Sequence, residues 1–101
     1  MKEKMIIKVY EDCGSFAENK DIARDYREKK VLPALKKSIP IEIDFDKVDS
    51  TTQSFVHAIL NKALRKYGEH TLENIMFKNC SMPVKAIIGV VVNYSLDLDD
   101  E

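Results

Sequence analysis

The sequence predicts a small α/β domain in which a single-layer, mostly parallel sheet is flanked by helices in the order β-α-β-α-β-α. Short β-branched and aromatic runs alternate with longer segments rich in Lys, Glu, Ala and Leu. Turn-forming clusters separate these segments, with no internal repeat and no linker. The length of 101 residues, 45% hydrophobic and 33% charged, predicts one domain over residues 1–101. Strands and helices that alternate in this way pack as helices on a mostly parallel sheet.

Three segments have the character of strands. Residues 5–10 are β-branched and aromatic. Residues 41–46 alternate between apolar and charged side chains, and Val48 closes this segment. The third segment begins at Leu72, and its apolar part predicts a strand near residues 74–78.

The first helical segment runs from about Glu18 to Lys37 and is rich in helix-forming residues. Pro33 interrupts it, because proline lacks the backbone N–H and crowds the preceding turn. We therefore expect either a long helix followed by a short one, or a single kinked helix. Between the second and third strands, a helix is predicted over residues 52–67.

The helix of residues 52–67 has a clear apolar face, and Gly68 stands where a C-cap glycine belongs. The cluster Asp49–Thr52 offers N-cap residues. At about 100° per residue, one face collects the apolar side chains that we expect to be buried. They are Val56, Ile59, Leu60 and Ala63, with Tyr67 at the end of the same face.

The last segment, from Pro83, is predicted to be a helix, with a strand over Ile87–Val92 as the alternative because β-branched residues and glycine lower helix propensity. Residues 96–101 are predicted to be a frayed acidic tail. The apolar arc of this helix is too wide to face one small sheet. The arc consists of Val84, Ile87, Ile88, Val90, Val91 and Tyr94, and the part of it that the sheet does not cover predicts a homodimer or partner surface.

Composition excludes several classes of function. Sixteen Lys and Arg against seventeen Asp and Glu give a net charge of -1, which offers no electrostatic footprint for nucleic acid. The sequence shows no signal peptide and no apolar run long enough to span a bilayer. Cys13 and Cys80 form no disulfide framework and no zinc pattern, so we expect a cytoplasmic chain without metal or cofactor.

Parallel strands would bring three turns to one edge of the sheet, where open α/β sheets bind ligands. The turns begin at Asp12, Asp49 and Asn79. A ligand edge could therefore be formed by Cys13, Gly14, Ser15, Asn79, Cys80 and Ser81. The plainer interpretation is that these residues are caps and turn formers.

Catalytic candidates are few. Cys13 could be a reactive thiol near a helix N-terminus, although no histidine pairs with it at a telling spacing. Asp44 and Asp46 could be catalytic at the sheet edge, but more simply they end the strand. His57 and His70 are more simply boundary and loop residues than metal ligands. We therefore expect no enzyme, with an enzyme using Cys13 or the Asp44–Asp46 pair as an alternative.

The segment from Ile41 to Leu60 carries a resemblance. A strand that ends in Ile-Asp-Phe, followed by Asp-Ser-Thr-Thr-Gln-Ser-Phe and an amphipathic helix, resembles the STAS-like domain family of unknown function. Gly14–Lys20 resembles the first loop of that family, and Phe77–Cys80 resembles the end of its third strand. The resemblance covers nearly the whole chain and implies a STAS-like fold.

STAS domains of anti-sigma factor antagonists are the better-known relatives. The resemblance implies a bacterial regulatory module that binds a histidine-kinase-like ATPase or an anti-sigma-type partner. Aligning Val48 with the family's valine puts Ser54 in the hydroxyl pair that contains its phosphoacceptor. Thr52 then replaces an aspartate and Phe55 a glycine, so the turn departs from the family's switch motif at two positions.

Helix geometry also directs Ser54 outward, about 160° from the face centred on Val56. A phosphate there would meet the positive end of the helix dipole, whereas a solvated or capping hydroxyl is the plainer interpretation. The predicted partner-binding surface consists of Thr51, Thr52, Gln53, Ser54, Phe55, His57 and Asn61. A small-ligand or nucleotide sensor at the three turns remains an alternative.

Overall fold

Five strands and six helices follow one another along the part of the chain that the structure describes. A computed structural model describes residues 3–99, with side chains up to Asn93. The elements in chain order are β1 (Met5–Lys8), α1 (Val9–Cys13), β2 (Phe16–Ala17), α2 (Lys20–Tyr26), a π-helical turn (Arg27–Val31), α3 (Leu32–Lys36), β3 (Ile41–Asp44), β4 (Ser50–Thr51), α4 (Gln53–Tyr67), α5 (Glu69–Asn74), β5 (Ile75–Lys78) and α6 (Met82–Asp99).

The main sheet has the order β1-β3-β5, and both pairings are parallel. Ile43 lies beside Ile7 on one side and beside Phe77 on the other. Parallel pairing requires crossover connections, which the intervening helical segments supply. The predicted α/β class with a parallel sheet is therefore confirmed. A second sheet, formed by the short parallel pair β2 and β4, was not predicted.

Alternation along the strands gives the main sheet one buried face. Ile7, Ile41, Ile43 and Ile75 are buried in the core. Ile6 and Met76, which belong to the next row of paired residues and point to the opposite face, are exposed. Because period-2 alternation separates these two sets, the core lies on one side of the sheet.

The first strand is shorter than predicted. It ends at Lys8, which is paired with Asp44 at the end of β3. Val9 has no strand residue beside it and begins α1 instead, and the Gly14 N–H closes this helix onto the Tyr10 carbonyl at 2.9 Å. Gly14 has φ of 73°, a conformation that favours glycine.

The segment around Pro33 forms one continuous helical run, with a π-helical turn immediately before α3. Proline cannot donate the i→i−4 hydrogen bond, and the wider turn accommodates this loss. The run begins at Lys20, where the Asn19 side chain accepts hydrogen bonds from the N–H groups of Asp21 and Ile22. The single helical run was one of the two alternatives that the sequence predicted.

Helix α4 forms as predicted, and its expected core residues Val56, Ile59, Leu60 and Ala63 are all buried. Thr52 is its N-cap, with Oγ1 accepting from the Phe55 N–H at 3.1 Å. At the other end Gly68 has φ of 58°, and its N–H bonds to the Leu64 carbonyl. α4 contacts both α2 and α6, which places it at the centre of the helical layer.

The third strand starts later than its apolar pattern suggested. Residues 72–74 belong to α5, which is fixed to α4 by the Thr71 hydroxyl donating to the Ala63 carbonyl at 2.9 Å. The last segment is helical, as predicted, with Pro83 in the first turn of α6. α6 includes residues 96–99 of the predicted acidic tail, and residues 100 and 101 lie outside the described part of the chain.

Candidate functional site

The first turn of α4 is open to solvent on the side that carries Gln53 and Ser54. Both residues are exposed. The outward orientation predicted for Ser54 is therefore confirmed. Because Thr52 is the N-cap, Ser54 occupies the second helical position, where N–H groups and the positive end of the helix dipole lie. The turn presents a hydroxyl beside a positive electrostatic environment.

Two residues of the predicted partner surface lie in the interior instead. The Thr51 hydroxyl is buried and donates a hydrogen bond to the Ala17 carbonyl at 2.7 Å, which joins β4 to β2. Phe55 is 0% exposed. Its ring packs against Tyr26 because α2 covers that flank of α4. Neither side chain can contact a partner in this conformation.

A groove lies between the start of α4 and the middle of α6. Its volume is about 290 Å³, and it is lined by Gln53, Ser54, His57, Val90 and Val91. Val91 is buried, whereas Val90 is 48% exposed. The groove therefore combines an apolar wall from α6 with hydrogen-bonding side chains from α4. Gln53, Ser54 and His57, three residues of the predicted partner-binding surface, therefore line this groove.

The sequence did not predict that α6 packs beside the exposed side of α4. The feature that could have indicated it is the wide apolar arc of α6, which includes Val90. Ile87 is half-buried, and Tyr94 lies outside the residues whose side chains are described. Asn61 is half-buried one turn beyond His57 and does not line the groove.

The three predicted turns do meet at one edge of the fold. The Ser15 carbonyl accepts hydrogen bonds from the N–H groups of Asp49 and Ser50, at 2.8 and 3.3 Å. The Ser81 hydroxyl donates to the Asp49 carbonyl at 2.8 Å and accepts from the Val84 N–H at 3.2 Å. These groups are used to join the turns and to cap α6.

The two cysteines are free and half-buried. Burial raises the pKa of the Cys13 thiol, and the neighbouring Asp12 charge raises it further. Burial also raises the pKa of Cys80. The thiolate is the nucleophilic form of cysteine, so both environments favour the unreactive thiol.

A second cleft, of about 360 Å³, opens beside the carboxyl ends of β1 and β3. It is lined by Lys8, Tyr10, Glu11, Asp44, Asp46 and Lys47. The Lys47 ammonium lies over the Tyr10 ring, 5.7 Å from its centroid. Hydrogen bonds from the Asn79 side chain and the Asp46 N–H lower the pKa of Asp44. Asp44 is therefore ionised at neutral pH and cannot act there as a general acid.

Comparison with family models gives a match over residues 26–85, to the family described as a STAS-like domain of unknown function (DUF4325). The matched segment runs from Tyr26 to the first turn of α6 and contains Ser54. It covers more than half of the chain. The chain belongs to this family. No curated protein and no solved structure matches this STAS-like domain at a significant level.

Among residues 3–99, none of the helices combines the length and the apolar character needed to cross a bilayer. Within the same residues, no cluster of three or more His, Cys, Asp and Glu side chains is arranged to hold a metal ion.

Proposed function

We propose that this STAS-like domain is a protein-interaction module whose partner docks in the groove between α4 and α6. The observation that carries the proposal is the half-exposed Val90 facing Gln53, Ser54 and His57 across one depression. An apolar anchor with a polar rim is the usual anatomy of a protein interface. An apolar side chain of the partner would cover Val90, and polar groups would bond to the α4 rim.

The partner class comes from the resemblance of the Asp49–Phe55 turn to the STAS switch turn. It is a histidine-kinase-like ATPase or an anti-sigma-type regulator, met in the cytoplasm. Two free cysteines suit that reducing compartment. In this proposal the module is not an enzyme, because neither the Cys13 thiol nor the Asp44 carboxylate has a pKa shifted toward neutral pH.

Ser54 is the proposed phosphoacceptor of the module. A phosphate adds about -1.5 to -2 charges at neutral pH. At the second position of α4 it would meet the positive end of the helix dipole, so the helix stays formed. The added charge would lie in the groove beside Val90, where it would repel an acidic partner surface and would be costly to bury against an apolar one. Phosphorylation would therefore release the partner without unfolding the domain.

A small-ligand or nucleotide sensor is the second candidate, and the cleft beside β1 and β3 favours it. The Tyr10 ring could stack on a base, with Lys8 and Lys47 near phosphates. The carboxylates Glu11, Asp44 and Asp46 in the same cleft oppose phosphate. Calorimetry with ATP and GTP tests this candidate, and binding that Tyr10→Ala abolishes would support it.

The docking proposal is tested by comparative capture from a lysate of the source cells. The immobilised full chain is compared with Ser54→Asp, Val90→Glu and the control Lys20→Ala, which alters an exposed residue outside the groove. A specific partner is retained by the wild type and by Lys20→Ala and is depleted by both groove variants. A protein retained equally by all four chains does not use the groove. If every captured protein behaves in this way, the proposal is contradicted.

The phosphoswitch is tested separately on the purified pair. Incubation with ATP followed by intact-mass measurement should show one added phosphate, which Ser54→Ala abolishes while still binding the partner. If the groove variants lose the partner but no phosphate appears, the docking proposal stands and the switch fails.

A further inference from the structure

The charges of this chain are unevenly distributed. Eight of its sixteen Lys and Arg fall in residues 27–37 and 62–66, together with a single acid, Glu28. The other sixteen acids lie elsewhere in the chain. A net charge of -1 therefore conceals one strongly basic region and an acidic remainder.

The two basic segments meet at the C-terminal ends of α3 and α4. Ser38, which follows α3, lies 3.4 Å from the Nε2 atom of His70 in α5. α5 is in turn fixed to α4 by the Thr71 bond to Ala63. Closer to the π-helical turn, the Lys62 ammonium lies 3.5 Å from the Glu28 carboxylate. These contacts bring the ends of the two helices side by side.

Five exposed cations form this surface, which we call the basic end. They are Lys36, Lys37, Lys62, Arg65 and Lys66. Among the described side chains, only Lys62 of these five takes part in an ion pair, and it shares Glu28 with Arg27. Lys66 lies over the Tyr67 ring. Glu69, exposed at the start of α5, is a further acid near this end.

Lys29 and Lys30 do not belong to the basic end. Lys29, in the π-helical turn, pairs with Asp25 in the preceding α2, and both line a cleft that also contains Asp12 and Lys30. The helix dipole favours cations in the last turn of a helix, which accounts for Arg65 and Lys66 in α4. It does not account for Lys62, which precedes that turn. Like charges held together repel one another, so an anion bound there would stabilise the arrangement.

We propose that the basic end is a docking surface for a short acidic segment of a protein partner. The surface lies outside the groove between α4 and α6, so it does not depend on docking there. A basic surface attracts an anionic partner, and the acidic remainder of the chain favours a short anionic segment over a long one. A long polyanion such as a nucleic acid would extend over the acidic remainder of the chain and be repelled.

The probe for the test is a fluorescein-labelled hexaglutamate peptide, titrated with the full chain and followed by anisotropy at low ionic strength. We expect saturable binding that weakens as salt is added. A triple variant, Lys62→Ala, Arg65→Ala and Lys66→Ala, should weaken binding about tenfold, since each exposed ion pair contributes roughly 0.5 kcal/mol.

The matched control removes the same charge elsewhere, through Lys8→Ala, Lys20→Ala and Lys85→Ala, and should change binding less than about twofold. Circular dichroism verifies that both triple variants are folded. The proposal is overturned if the peptide does not saturate, if both variants weaken binding equally, or if a thymidine oligonucleotide of equal charge binds more tightly than the peptide.

Discussion

The rings of Tyr26 and Phe55 meet edge to face, with centroids 6.3 Å apart and planes at 89°. The Tyr26 hydroxyl donates a hydrogen bond to the Asp12 carboxylate at 2.5 Å. One tyrosine therefore connects α1, α2 and the first turn of α4. The exposed Ser54 is displayed on a turn whose next residue, Phe55, is anchored in the core.

Replacement of Phe55 by alanine should lower the free energy of unfolding by about 3–5 kcal/mol, because it removes a fully buried ring and its aromatic partner contact. Phe16→Ala is the matched control, since Phe16 is half-exposed in β2. The control should cost less than about 1 kcal/mol in urea unfolding. Equal losses for the two variants would contradict the assignment of Phe55 to the core.

The burial of Phe55 shows where sequence reasoning on α4 reaches its limit. A helical projection from Val56 finds a stripe of core residues, and that stripe is correct. Phe55 lies on the flank of the projection, and the predicted partner surface included it only as a neighbour of Ser54. The tertiary contact with α2 widens the buried arc, and a single-helix projection carries no information about such a neighbour.

Thr52 should contribute its capping hydrogen bond to the stability of α4. Thr52→Ala removes the acceptor for the Phe55 N–H and should cost about 1 kcal/mol, whereas Thr52→Ser retains the acceptor and should cost little. Thermal unfolding of the two variants measures the difference. A serine variant as unstable as the alanine variant would mean that the methyl group, rather than the cap, matters.

Cys13 should alkylate slowly at neutral pH. Its pKa is raised above the ordinary value of 9.0, so the thiolate fraction stays low until the pH passes that value. We expect the half-maximal rate with iodoacetamide, followed by peptide mass, at higher pH than in the urea-unfolded chain. Restricted access alone would slow the reaction without moving this midpoint. A midpoint below that of the unfolded chain would instead favour the enzyme alternative.

Acid should destabilise the main sheet through two carboxylates. Hydrogen bonds from Lys4 to Glu42 and from Asn79 to Asp44 lower both pKa values below their ordinary 4.5 and 3.8. A lowered folded-state pKa stabilises the fold above the ordinary value, and this stabilisation is lost as pH falls through the lowered one. The effect is therefore full at neutral pH, begins to decline near pH 4.5, and is lost once the pH lies below both lowered pKa values.

Asp44→Asn should flatten this acid-side fall in the free energy of unfolding, measured by urea titration at a series of pH values. Glu18→Gln, which removes an exposed carboxylate elsewhere, serves as the control. If the two variants show the same pH dependence, the Asn79–Asp44 hydrogen bond does not carry the effect.

Some features of the candidate site could be predicted from local sequence, and others depend on tertiary contacts, as for Phe55. The outward orientation of Ser54 follows from helix geometry, and the meeting of the three turns follows from parallel topology. Val90 reaches the groove only because α6 packs on α4, a contact between residues distant in sequence. The two-residue strands β2 and β4 were missed because so short a segment shows no periodicity.

The exposed face of α6 should drive any self-association of the chain. Val90 is the apolar residue of α6 that both lines the groove and remains half-exposed, and monomers rarely leave large apolar patches uncovered. Sedimentation equilibrium should show a concentration-dependent dimer that Val90→Glu abolishes. Because Val90 is half-exposed, its replacement should leave the unfolding midpoint nearly unchanged, so loss of the dimer reports on the surface rather than on folding. Lys85→Gln, at an exposed position of the same helix, makes the net charge more negative by the same one unit and serves as the control. If the wild-type chain stays monomeric at the highest attainable concentration, the predicted dimer is wrong, and only a different protein could occupy the groove.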